Sequence, residues 1–127
     1  IIPLSEAGCR VSLFVEADER QLEACVGVGA AVVELHTGAY CDFHAKGDIR
    51  ATNDELKRIM RCAAFADELG LEVHAGHGLT FGNVGPIAAL SEVAELNIGH
   101  FLIGEAVLMG LEPAIAEMRR LMQQARA

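Results

Sequence analysis

Short apolar runs alternate with stretches of helical spacing four times along the chain. Residues 10–16 hold a β-type run, Val11 to Val15, and Glu16-Ala17-Asp18 reads as its exit loop and the cap of the next helix. Leu22, Cys25 and Val26 then recur at helical spacing across 19–28, closed by Gly29. The second strand is predicted over 31–36, with His36-Thr37-Gly38 as its exit. A polar stretch, about 39–52, reads as a loop before a helix that Thr52 or Asn53 would cap. Leu56, Ile59, Met60, Ala63 and Ala66 give that helix its apolar stripe, and Gly70 stops it. The third strand is 71–75, followed by a Gly-His-Gly loop and a short helix through Ile87 to Leu90. The fourth is 95–98, with an exit at Gly99-His100. An apolar helix from Phe101 to Met109 follows, then Gly110, then a helix with Pro113 in its first turn and a stripe of Ile115, Met118, Leu121 and Met122.

Strict alternation of strand and helix predicts an α/β fold with a parallel sheet. Four such units are about half of a (β/α)8 (TIM) barrel, which typically takes ~250 residues. Ile1 to Gly8 reads as the tail of a helix closed by glycine, so the expectation is the carboxy-terminal half of one barrel domain, spanning residues 1–127. A flavodoxin-like sheet is the other reading, but such a sheet has no reason to begin inside a helix. With 52% hydrophobic but only 5% aromatic residues and no Trp, the core must come from Ala, Val, Leu and Ile. That is the usual filling of buried parallel strands.

The formal net charge of −8 excludes a nucleic-acid partner, because no basic stripe exists to displace counterions and Arg119-Arg120 is too small to act as one. An anionic ligand must therefore be held by local N–H dipoles and single cations. No apolar run approaches the ~18 residues of a membrane span, and the start lacks the pattern of a signal peptide. Cys9, Cys25, Cys41 and Cys62 form no C-x-x-C, and three of them lie in apolar stretches, so reduced thiols in a cytoplasmic protein are expected.

The candidate chemistry sits at strand exits. His77 stands between Gly76 and Gly78, and His100 follows Gly99. An imidazole titrates near neutral pH and can donate and accept protons in turn, while flanking glycines let backbone approach a substrate. The first N–H groups of the helix after Gly99 lack internal acceptors and favour an anion such as phosphate. Glu34 interrupts an apolar strand, which is costly unless the carboxylate is paired or faces a polar mouth. His36 shares its face by strand alternation, as an orienting partner or as a satisfied core histidine. His74 and His77 point to opposite faces and no further ligand completes a set, so no metal is expected. Asp42 and His44 fall in the predicted loop, as part of a lid or simply solvated. Glu34, His77 and His100 are expected at one end of the sheet.

Several segments occur together in order: Arg10-Val-Ser-Leu-Phe-Val-Glu-Ala-Asp18, Glu34-Leu-His-Thr-Gly38, Ala75-Gly-His-Gly-Leu79, Asn83-Val84 and Glu95-Leu-Asn-Ile-Gly-His100. The chain thereby resembles the second half of the pyridoxine 5′-phosphate synthases, through Gly110-Leu111 and the final helix. The resemblance implies a (β/α)8 barrel, a homo-octamer in the bacterial cytoplasm, and no metal or organic cofactor. It implies condensation of 1-deoxy-D-xylulose 5-phosphate with 3-amino-2-oxopropyl phosphate, giving pyridoxine 5′-phosphate, phosphate and water. It also implies His77 as proton donor, Glu34 as transition-state stabiliser, and Gly78, Gly99 and His100 as binders of the amino-ketone phosphate. Glu16 and His74 depart from the residues usual in that family (Asp and Asn), and the 42–52 loop looks longer than in some relatives.

Two other functions fit the same pattern. A sugar-phosphate isomerase or epimerase would keep the phosphate site but needs a carboxylate or lysine base, and Lys46 and Lys57 are badly placed for one. An inactive half-barrel that associates with itself or with its other half is the third. The resemblance places the principal general bases in an amino-terminal half, so residues 1–127 alone should have little activity.

Overall fold

The computed structural model describes residues 1–127. In chain order the elements are α1 (Ile2–Glu6), β1 (Ser12–Val15), α2 (Glu19–Gly27), β2 (Val32–His36), α3 (Gly38–Ala45), α4 (Ile49–Glu68), β3 (Glu72–Gly76), α5 (Val84–Ala88), β4 (Val93–Asn97), α6 (His100–Met109) and α7 (Leu111–Ala125). The four strands form one sheet in the order β1-β2-β3-β4, every neighbouring pair parallel. Such a sheet needs a crossover between each pair of strands, and the helices supply it.

Register decides which residues share a face. Leu13, Val33, Val73 and Val93 lie side by side, as do Val15, Leu35, Ala75 and Leu96. This apolar face meets Leu22 and Cys25 of α2 and Ile59, Cys62, Ala63 and Ala66 of α4 in the main core. Each fully buried Leu or Ile there contributes about 1.5–3 kcal/mol. The other face is polar. Phe14, Glu34, His74 and Glu95 form one row across all four strands, with His36, Gly76 and Asn97 in the row above. The β3–β4 register slips by one residue between Val73 and His74, which is what brings Glu95 into line with His74.

Several boundaries differ from the sequence reading. The expected loop over 39–52 is mostly helical: Tyr40 and Cys41 bury one side of α3, and Gly47, at φ +71°, turns the chain. Asp48, not Thr52 or Asn53, caps α4, accepting the Ala51 N–H at 3.0 Å, while Thr52 donates its hydroxyl back to the Asp48 carbonyl at 2.7 Å. Strand β4 starts at Val93, two residues early, because Val93 is buried on the helix side. Helix α5 ends at Ala88, α6 begins at His100, and α1 covers Ile2–Glu6 with Gly8 at φ +84° after it. Asp18 does cap α2, accepting from the N–H groups of Arg20 and Gln21 at 3.0 and 3.2 Å.

The lower part of the polar face carries an ionic cluster. Arg10 pairs with Glu72, whose Oε1 lies 2.8 Å from His74 Nε2, and His74 Nδ1 is 3.5 Å from Glu95. These partners, Arg10 first and His74 second, hold the Glu72 carboxyl at about 2, against an ordinary 4.5. A depressed carboxylate stabilises the fold above its unfolded pKa and loses that contribution as pH falls through its folded pKa. Glu72→Gln is therefore expected to lower the urea midpoint at pH 7, with the gap to wild type closing between pH about 4.5 and about 2. A gap independent of pH would show that the pair does not contribute in this way. Arg10 and Glu72 are both solvent-exposed, so the effect is small.

Candidate active site

Three loops at the carboxyl ends of the strands build the site. After β3 the chain turns sharply: His77 has φ +79° and Gly78 φ +82°. For a non-glycine residue this left-handed conformation costs about 1–3 kcal/mol and persists only where neighbours impose it. The neighbours here come mainly from β2 and α3. Thr37, fully buried, has its hydroxyl 2.7 Å from the carbonyl oxygens of both Gly76 and His77, and its N–H donates to Gly76 at 2.9 Å. The Cys41 thiol, pushed up in pKa by burial, stays protonated and points at the His77 carbonyl at 3.6 Å. Asn83 accepts from the Thr80 N–H at 2.7 Å, and its own carbonyl accepts from the Tyr40 hydroxyl at 2.8 Å. Burial pushes that phenol up to about 12, so it remains a donor.

Glu34 projects from the polar face of β2. Its Oε2 accepts a hydrogen bond from Asn97 Nδ2 at 2.8 Å, and it forms no ion pair within the chain. The side chain is thus oriented by a neutral partner and meets no cation of the chain. Across the sheet Gly76 makes this possible: a Cβ there would overlap the Glu34 carboxylate and sit 2.7 Å from the Asn97 carbonyl oxygen. After β4, Gly99 precedes α6 with no side chain capping the helix, and His100 is its first residue. The leading N–H groups of a helix are free to hold an anion.

A cavity of about 450 Å³ joins these parts. Phe14, Glu34, His77, Gly78, Asn97, Gly99 and His100 all line it, so the five residues singled out in the sequence face one space at one end of the sheet. Lys46 and Lys57 do not line it, which leaves the cavity without a lysine base. His36 does not line it either and is no partner of Glu34; its Nδ1 lies 2.6 Å from Glu16 Oε1. Asp42 and His44 belong to α3 rather than to a loop. His74 is occupied by Glu72 and Glu95, and no three His, Cys, Asp or Glu side chains converge on a point that could hold a metal ion. The supports Thr37, Tyr40, Cys41, Asn83 and Asn97 were not foreseen as site residues. Asn97 stands in the row above Glu34 only through the pairing of β2, β3 and β4.

The sequence profile of the family described as "Pyridoxal phosphate biosynthesis protein PdxJ" matches residues 1–124. The chain belongs to this family. Among similar PdxJ proteins, the pyridoxine 5′-phosphate synthase of Roseobacter denitrificans is 66% identical over 127 residues, which is 100% of this chain and 51% of that protein. The protein of the same name from Ruegeria pomeroyi is 65% identical over 127 residues, again 100% and 51%. That from Caulobacter vibrioides is 58% identical over 123 residues, covering 97% of this chain and 48% of its own length. The chain spans about half the length of the PdxJ relatives it matches.

Proposed function

We propose that residues 1–127 are the carboxy-terminal half of a single (β/α)8 barrel in a pyridoxine 5′-phosphate synthase. The observation that carries this reading is the shared cavity, where Glu34, His77, Gly78, Gly99 and His100 meet at the carboxyl ends of parallel strands. Barrel enzymes assemble their sites at that end. The row of Phe14, Glu34, His74 and Glu95 would face the barrel interior, and strands from an amino-terminal half would close it. The reaction joins 1-deoxy-D-xylulose 5-phosphate to 3-amino-2-oxopropyl phosphate and releases pyridoxine 5′-phosphate, inorganic phosphate and water.

In that reaction His77 donates a proton to a departing hydroxyl as water leaves. Glu34, unpaired by any cation of the chain, stabilises positive charge developing at the substrate nitrogen. Gly78, Gly99 and His100 hold the phosphate of the amino-ketone, with the α6 dipole favouring the anion. The family resemblance implies neither a metal nor an organic cofactor. The protein would work in the cytoplasm on small phosphorylated substrates, with neither nucleic acid nor membrane as partner, as the family resemblance implies. Assembly as a homo-octamer is what the family resemblance implies.

Gly99→Val tests the phosphate assignment. A Cβ at Gly99 meets nothing within 4 Å, so the position has room for a side chain to begin there. In the full-length protein the substitution is expected to raise KM for the amino-ketone phosphate at least tenfold, about 1.4 kcal/mol of lost binding. His100→Ala, which leaves the backbone donors in place, should raise it less. An unchanged KM in Gly99→Val would remove the anion from α6.

A further inference from the structure

The imidazole of His77 makes no hydrogen bond within the chain; only its backbone carbonyl does. Both ring nitrogens are thus free for substrate, and the ring's orientation rests on packing. Two rings supply it. His36 meets His77 edge to face, with centroids 4.8 Å apart and planes at 62°, and Phe14 lies 6.3 Å from His77 and 5.0 Å from His36. A ring holds its neighbour only if it is itself fixed, and His36 is. Its Nδ1 lies 2.6 Å from Glu16 Oε1, while Arg58 Nη2 lies 3.3 Å from the other Glu16 oxygen. Arg58 is anchored in turn, donating from Nε to Glu55 at 3.0 Å and from Nη1 to the Ala17 carbonyl at 2.9 Å.

We infer that His36 is a positioning residue for His77, locked by Glu16 and Arg58 so that the His77 ring stands ready for proton transfer. The inference rests on the reading of His77 as proton donor. Glu16 is held below the usual carboxylate range, by the His36 bond first and by Arg58 after it, so it is ionised at neutral pH. An ionised carboxylate accepts only, so His36 donates from Nδ1 and its ring plane is fixed by that bond. Gly38 belongs to the same arrangement: a Cβ there would come within 2.6 Å of His36 Nε2 and 3.2 Å of His77 Cδ2. The line from Arg58 through Glu16 and His36 therefore runs from α4 to the cavity without any of the three lining it.

Four variants of the full-length protein test this: His36→Ala, His36→Phe, Glu16→Gln and Glu16→Asp. Misplacing a reacting group by about an ångström can cost up to 10²-fold. His36→Ala is expected to lower kcat roughly 10–100-fold, with KM for either substrate changed less than about threefold. His36→Phe keeps the ring volume, guarding against simple unfolding, but cannot be held by Glu16 and should fall between His36→Ala and wild type. Glu16→Asp, which keeps the carboxylate, should retain more kcat than Glu16→Gln. Ring-carbon relaxation of labelled histidines, recorded without substrate, should show His77 gaining mobility in His36→Ala while His100 does not. An unchanged kcat, a loss confined to KM, or an equally ordered His77 ring in His36→Ala would overturn the inference. If wild type turns over neither substrate, the proposed reaction fails, and the relaxation result still decides the positioning role.

Discussion

His77→Asn in the full-length protein is expected to lower kcat by about 10²–10⁴-fold, the usual cost of removing one acid–base group. Asn is the informative replacement because His77 sits at φ +79°, a conformation that Asn tolerates better than most residues. Thr37 and Cys41 grip the backbone carbonyl of residue 77 and not its side chain, so the turn should survive the exchange. Thermal midpoints within a few degrees of wild type would document that survival. His77→Ala should lose comparable turnover with a further cost in stability, since Ala is less suited to a positive φ. Full turnover in both variants at saturating substrate would refute proton donation by His77.

Gly76→Ala is the second substitution with a large expected effect. The added Cβ would lie 2.7 Å from the Asn97 carbonyl oxygen, which belongs to the backbone of β4 and cannot swing aside. It would also overlap the Glu34 carboxylate, whose other oxygen accepts from Asn97. Either β3 and β4 part locally or Glu34 leaves its place. Overpacking of this kind costs about 1–3 kcal/mol. Displacement of Glu34 should lower kcat about 10²-fold. Urea denaturation and steady-state kinetics measure the two effects separately. Wild-type stability together with wild-type turnover would mean that the close approach of Glu34, Gly76 and Asn97 is not required.

Strand periodicity made much of this architecture legible. Alternation placed Glu34 and His36 on one face of β2, and the register sets both on the face opposite Val33, Leu35, Val73 and Ala75. Glycines beside His77 and His100 marked two strand exits, and parallel pairing brings both to one end. Helix α3 was hidden because its buried residues, Tyr40 and Cys41, are adjacent and make no stripe of period 3.6. Lys46-Gly47-Asp48 looked like loop, yet it joins the end of one helix to the cap of the next. The register slip that sets Glu95 beside His74 is likewise something local sequence does not encode.

Partnerships were harder to read than positions. Asn97 orients Glu34 from 63 residues away, and Glu16 holds His36 across 20. Such pairs depend on which strands become neighbours, and only the assembled sheet reveals that. His36 was legible as sharing a face with Glu34, but its partner is Glu16 of β1's exit and not Glu34.

Product formation by the full-length protein tests the central claim most directly. Given 1-deoxy-D-xylulose 5-phosphate and 3-amino-2-oxopropyl phosphate, with no added metal or cofactor, wild type should release pyridoxine 5′-phosphate and inorganic phosphate in equal amounts, and His77→Asn should release almost none. Absence of pyridoxine 5′-phosphate with the wild-type protein, or equal yields from the two proteins, would contradict the account.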